Sequence, residues 1–136
     1  MAQETKHIVM NWRNGMVFEG GDPDGPMAVV DGTNETAPGP MLQLLMALAG
    51  CAGSDIVTML PKMEVELTAF RMEVRGVRNE TYPKRYLTIH MDFHLAGKNL
   101  DEAKARRSIE LSLEKYCSVT HTLKLDAPIT YDLHLG

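Results

Sequence analysis

Cysteine is scarce in this sequence, with two in 136 residues, Cys51 and Cys117. So low a count excludes the multi-bridge framework of small secreted domains. There is no Cys-x-x-Cys and no His-Glu-x-x-His, so no strong zinc signature is present either. A Gly-x-Gly-x-x-Gly stretch, a phosphate loop and a Gly-x-Ser-x-Gly elbow are all missing, and the reading therefore calls for no cofactor and no serine nucleophile. Basic runs are lacking as well. With 14 Lys+Arg against 18 Asp+Glu the formal charge is -4, which argues against a nucleic-acid partner, and "PKR" at 83–85 reads as solvated turn flank. The amino-terminal "MAQETKHIVMNW" holds no apolar stretch of signal-peptide length. The longest apolar run, 40–53, is shorter than the roughly 18–20 residues a helix needs to cross a bilayer. These absences predict a cytoplasmic chain with no membrane partner, in which the "NET" sequons at Asn34 and Asn79 stay unmodified. A bridge between the two thiols in that compartment would be transient and chemical.

What is present suits one α+β domain spanning 1–136. "KHIVMNW" (6–12) alternates Ile8, Met10 and Trp12 on one face, and "NG" at 14–15 predicts a type I′ hairpin turn into "MVFEG" (16–20). "MAVVD" (27–31) is a third short strand after the turn-rich "GDPDGP". Pro40 suits the first turn of a helix over 41–60, "MLQLLMALAGCAGSDIVTML". Apolarity on nearly every side of that helix predicts enclosure by other elements. Gly50 and Gly53 flank Cys51 at a cost of about 1 kcal/mol each, which points to close backbone approach or room for a ligand. Two long alternating strands follow at 64–77 and 85–97, with Leu87, Ile89, Met91, Phe93 and Leu95 on one face of the second. An amphipathic helix over 99–117 starts at Asn99 as N-cap with Glu102 three residues on, and 127–136 is a last strand.

Chemistry in such a chain centres on thiols, which react only as thiolates. Cys51 has no cation among its sequence neighbours, and Asp55, one turn on, opposes its ionisation; a small core residue is the plain reading. Cys117 precedes "SVTHTLK", so the N-terminus of a further helical turn would favour its thiolate, with His121 four residues on as a base or cation. His90, Asp92 and His94 line the other face of the second long strand, and Cys117 with His121 has helical spacing. Both are weak metal signals, and the strand set reads as a solvated face.

Both cysteine segments resemble the OsmC/Ohr superfamily of osmotically inducible and organic-hydroperoxide-resistance proteins, in a short bacterial branch. "APGPMLQLLMALAGCAGSDIVTML" (37–60) is similar to the family's central helix with its cysteine, and "EKYCSVTHTLK" (114–124) to its second cysteine motif. The resemblance implies an intertwined homodimer with the two central helices enclosed by sheets from both chains. It gives Cys51 the part of peroxidatic thiolate and Cys117 that of resolving thiol. Its partners would be a small hydrophobic hydroperoxide and an external dithiol reductant. Family peroxidases hold the thiolate with an arginine positioned by a glutamate. Met41 stands at the glutamate position here, and Arg13, beside the first hairpin turn, is the arginine that precedes the helix. That departure motivates a second expectation, a non-catalytic dimer binding a small hydrophobic ligand on a Met-rich surface.

Overall fold

Alternating apolar segments become six strands in a computed structural model that describes residues 3–136. Contacts within the chain group into two units, one ending at Leu44 and the other running Leu45–Gly136. Elements β1 (Val9–Asn14), β2 (Val17–Gly21) and β3 (Met27–Asp31) form an antiparallel meander in the first unit, as the turn signals predict. The β1–β2 turn is not type I′. Gly15 takes positive φ, 49°, while Asn14 does not, because a register shift between Trp12 and Asn14 pairs Asn14 with Val17 and leaves Gly15 and Met16 as the turn residues. Every residue of β1 is exposed within the chain, Trp12 among them.

Asp31, at the end of β3, organises the loop that follows. Its carboxylate accepts hydrogen bonds from the backbone N–H and the hydroxyl of both Thr33 and Thr36, at 2.7–2.9 Å. Those donors, the Thr36 backbone foremost, hold its carboxyl well below the usual carboxylate range. Asn34 occupies the left-handed region at φ 58° and accepts from Gly39 N–H, which shapes the approach to Pro40.

Helix α1 (Pro40–Met59) opens on that proline and passes into a 3₁₀ turn, Leu60–Met63. Leu45, Leu48, Ala52, Gly53 and Ile56 form its buried stripe, whereas Met46 and Val57 are exposed. Enclosure on every side is therefore not reached within one chain. Together α1 and the 3₁₀ turn give 24 residues, Pro40–Met63, that by length and composition suffice to cross a membrane, longer than the 40–53 run suggested. Helical continuity through Pro61, which a 3₁₀ turn tolerates near its start, makes the difference.

Strands β4 (Glu66–Arg78) and β5 (Tyr86–Lys98) pair antiparallel, and β6 (Ile129–Leu135) joins β5 in parallel, in the order β4-β5-β6. Ile89, Met91, Phe93 and Leu95 are buried on the inner face, each worth about 1.5–3 kcal/mol relative to exposure. Leu87 departs from that stripe. A register shift between Val77 and Arg78 makes Leu87 the extra residue of a bulge, and Tyr86 is buried in its place. Helix α2 (Glu102–Leu111) is capped by Asp101, which accepts from Lys104 N–H at 2.8 Å. Asn99 is not the cap. It sits at φ 62° and donates its side-chain amide to the Glu64 carbonyl at 3.0 Å, joining the loop to the end of the 3₁₀ turn.

Candidate functional site: the Cys51–Cys117 pair

Helix α2 does not run on to Cys117. It widens into a π turn, Ser112–Tyr116, and helix α3 (Ser118–Leu123) begins after Cys117, whose own backbone is extended at φ -74°, ψ 102°. The π turn accommodates one extra residue per hydrogen-bonded ring, and Cys117 N–H reaches back to the Ser112 carbonyl at 2.7 Å. That insertion re-aims the chain so that Cys117 faces inward, fully buried, at the start of α3. Its Sγ accepts the Thr120 N–H at 3.4 Å, the position of an N-cap side chain.

Cys51 is half-buried on α1, and both cysteines are free thiols. The two thiols lie close enough to interact, and Cys51 is one of the groups that keep the proton on the Cys117 sulfur. Nearby, the Ser112 hydroxyl donates to Asp55 Oδ2 at 2.8 Å, with the Ala52 carbonyl as a weaker second acceptor at 3.5 Å. One link thus ties the turn of α1 after Cys51 to the π turn before Cys117.

Electrostatics of the pair do not follow the expectation from helix position. Burial pushes the Cys117 thiol up, above the ordinary thiol range, and the neighbouring Cys51 adds to the rise. The Thr120 hydroxyl and N–H act the other way but do not overcome desolvation. That hydroxyl is buried and makes no hydrogen bond of ordinary geometry. Its dipole lies close enough to the sulfur to favour the thiolate without closing a bond to it.

Residues offered as helpers stand elsewhere. His121 is exposed, and its Nε2 meets the Glu114 carbonyl at 2.9 Å, so the imidazole closes the π turn and does not serve the Cys117 thiol. Arg13 is engaged in an exposed ion pair with Glu19 at 3.0 Å. Asp55 has the Ser112 hydroxyl as its partner, not a cation. Among the described residues no arginine hydrogen-bonds to the Cys51 sulfur. Gly53 is buried against the Met72 methyl and the Phe70 ring of β4, so the close approach there is by side chains and not by backbone. Around Gly50 the space within 4 Å is open. A cavity of about 450 Å³ opens beside Asp55, lined also by Met59, Met63, Arg107, Leu111 and Tyr116. The Asp55–Ser112 link, the π turn and Thr120 escaped the sequence reading. A lone serine or threonine inside an amphipathic stretch carries no signal of its own.

The sequence profile of the family described as "OsmC-like protein" matches residues 32–132. Protein YhfA of Escherichia coli K12 is 32% identical over 123 residues, covering 90% of this chain and 92% of that one. An OsmC-like protein of Mycoplasma pneumoniae superposes with a TM-score of 0.83 at 18% identity, over 98% of this chain and 99% of the other. The organic hydroperoxide resistance protein OhrB of Bacillus subtilis does so with a TM-score of 0.61 at 17% identity, over 99% and 100% respectively.

Proposed function

Because the chain belongs to the OsmC-like family, whose members are associated with hydroperoxide resistance and redox chemistry, we propose that it reduces organic hydroperoxides through Cys51 and Cys117. One observation carries this reading: folding sets a half-exposed thiol beside a buried one, far apart in sequence. The Cys51 thiolate attacks the outer peroxide oxygen, the O–O bond breaks, and the alcohol leaves after taking a proton. Cys51 is then a sulfenic acid. The Cys117 sulfur displaces its hydroxyl as water, and a disulfide forms. An external dithiol returns both thiols and is itself oxidised to a disulfide.

The raised Cys117 pKa fits the order of these steps. A buried thiol kept protonated does not compete for peroxide, since only the thiolate is nucleophilic. Oxidation of Cys51 to a neutral sulfenic acid removes the like charge beside Cys117, one of the causes that hold its proton on. Glu and Arg of the family's peroxidases are not needed for the second step. They would matter for the first, where Met41 stands in the glutamate's place.

The chain would act as a cytoplasmic homodimer. Exposed Trp12, Phe18 and Met27 in the first unit, and Met46 and Val57 on α1, support this reading as apolar side chains that a second copy would cover. The test is stopped-flow oxidation with cumene hydroperoxide, with mass spectrometry for the intramolecular disulfide. Wild type should consume peroxide and form the Cys51–Cys117 bridge, and Cys51→Ser should do neither. Equal rates in wild type and Cys51→Ser would refute the reading.

A second reading has its own observation, the 450 Å³ cavity lined by Met59, Met63 and Leu111, with the cations Lys62 and Arg107 outnumbering the one carboxylate, Asp55. It suits a small amphipathic ligand bearing an anionic group. Native mass spectrometry showing a retained ligand, together with thiols inert to peroxide, would favour binding over catalysis.

A further inference from the structure

The outer face of the β4–β5–β6 sheet carries a polar array that the thiol chemistry does not use. Antiparallel pairing sets Arg71 beside His94, Glu73 beside Asp92 and Arg75 beside His90. Parallel pairing sets Thr130 beside His90, Asp132 beside Asp92 and His134 beside His94. Residues two apart on a strand share a face, so these side chains form three rows across three strands. The array includes three of the chain's five histidines. Any hydrophilic residues would solvate a strand face; here imidazoles and carboxylates converge.

The convergence is close. His90 Nε2 lies 3.0 Å from Asp132 Oδ2 and 3.8 Å from Asp92 Oδ1. One ligand atom from each of the three residues falls within 4.8 Å of the other two. In a tetrahedral site with metal bonds of about 2.0–2.1 Å, donor atoms stand about 3.3–3.4 Å apart. The two His90 distances lie within about half an ångström of that spacing, and the two carboxylates would need to close by no more than about 1.5 Å, which a side-chain rotation of the exposed Asp132 can supply. We propose that His90, Asp92 and Asp132, brought together by the parallel pairing of β5 with β6, bind a divalent first-row transition-metal ion of the zinc type.

Neighbouring groups are placed to support such a site. His90 Nδ1 lies 2.6 Å from Thr130 Oγ1. A hydroxyl accepts as readily as it donates, so Nδ1 keeps its partner when it takes the ring proton and Nε2 turns its lone pair to the ion. Asp92 is held from two sides, by Arg75 at 3.0 Å on Oδ2 and by His134 Nε2 at 2.8 Å on Oδ1. His94 stacks on His134, with ring centroids 4.4 Å apart. Side-chain exposure of 14% for Asp92 against 68% for Asp132 makes the first the fixed ligand and the second the one that closes from the rim.

Charge points the same way. Arg75 is divided between Asp92 and Glu73, at 3.0 and 2.7 Å, and Asp132 meets His90. With Arg71 also on Glu73, two arginines face three carboxylates, Glu73, Asp92 and Asp132, and the excess negative charge favours a further cation. An imidazole ligand selects zinc, nickel or copper over magnesium or calcium. A neutral ring only shifts its proton from Nε2 to Nδ1 as the ion binds, whereas a ring protonated on both nitrogens gives its Nε2 proton to solvent.

The test uses tag-free chain stripped with EDTA and titrated with Zn²⁺ against a chromogenic chelator. Wild type should bind one ion per chain, and His90→Ala and Asp132→Asn should weaken binding at least about tenfold. Asp132 is exposed, so Asp132→Asn should keep the wild-type Tm and separate lost ligation from lost fold. Thiols also bind zinc, and the double variant Cys51→Ser/Cys117→Ser must therefore bind as wild type does. No stoichiometric binding at about 100 µM free zinc, or binding lost only with the cysteines, would overturn the site. So would His90→Ala and Asp132→Asn binding like wild type. Peroxide consumption is not a readout here, so this result stands apart from the fate of the thiol reading.

Discussion

The two sides of β5 treat ionisable groups in opposite ways. On the inner side, Phe93, Met91 and Leu95 are buried in the core, which also holds the Cys117 thiol, pushed up by desolvation despite two favourable contributions from Thr120. On the outer side, Asp92 is also partly desolvated, yet its carboxyl is held below the usual range, first by the His134 hydrogen bond and then by the charges of His90, His134 and Arg75. Burial wins where partners are neutral and few; pairing wins where they are charged and many. Desolvation thus keeps a proton on the Cys117 sulfur, while charged partners across the strands keep one off the Asp92 carboxylate.

That contrast is broken most completely at its inner end. Cys51→Ser should reduce peroxide consumption by about a hundredfold or more, because no other described thiol is exposed to replace it. Phe93→Ala should cost about 3–5 kcal/mol, read by chemical denaturation, since Phe93 is fully buried in the central strand and packs edge-on against Tyr131 at 6.0 Å. Ser112→Ala sharpens the comparison. It strips Asp55 of its hydroxyl donor, should cost about 1–2 kcal/mol, and should slow Cys51–Cys117 bridge formation by loosening α1 from the π turn.

Asp31 offers a control remote from both faces. Its carboxyl is depressed in the fold, so the stability it contributes is present above the unfolded value of about 3.9 and fades as pH falls below it toward the folded one. Asp31→Asn should lower Tm by several degrees at pH 7, and the gap to wild type should narrow as the melt is repeated down to pH 3. A gap that stays constant across that range would show that the loop is held by its shape and not by its charge.

Much of this architecture is legible in the chain. Alternation in 85–97 gives β5 and its buried face, Pro40 starts α1, and the two cysteine segments locate the thiols that folding makes neighbours. The rest depends on events that local pattern does not encode. Leu87 leaves the stripe because a bulge shifts register by one, and a period-two pattern cannot announce where it slips. Asn99 looks like an N-cap until its positive φ sends its amide to Glu64 and leaves the cap to Asp101. A π turn hides inside an ordinary amphipathic stretch, and it alone aims Cys117 inward. The outer face is visible in the sequence as His90, Asp92 and His94, a weak metal signal read as a solvated face, but Asp132 escaped for a topological reason. His90 and Asp92 meet Asp132 only because β6 returns parallel to β5 after the whole of α2 and α3, a pairing that no spacing within either strand reveals.

The smallest effect lies at Thr120, where the two ways of treating a polar group meet in one residue. Its N–H is used by the Cys117 sulfur, and its buried hydroxyl has no partner. Thr120→Val keeps the shape and the N–H while removing an orphaned oxygen, so stability should hold or rise by up to about 1 kcal/mol. The Cys117 thiol, deprived of a dipole that favours its thiolate, should move further up, and bridge formation after Cys51 oxidation should slow at pH 8. Denaturation and quenched-flow alkylation read the two outcomes separately. A loss of stability beyond about 1 kcal/mol would mean that the hydroxyl closes a hydrogen bond in solution. An unchanged bridging rate would mean that desolvation by itself sets the reactivity of the resolving sulfur.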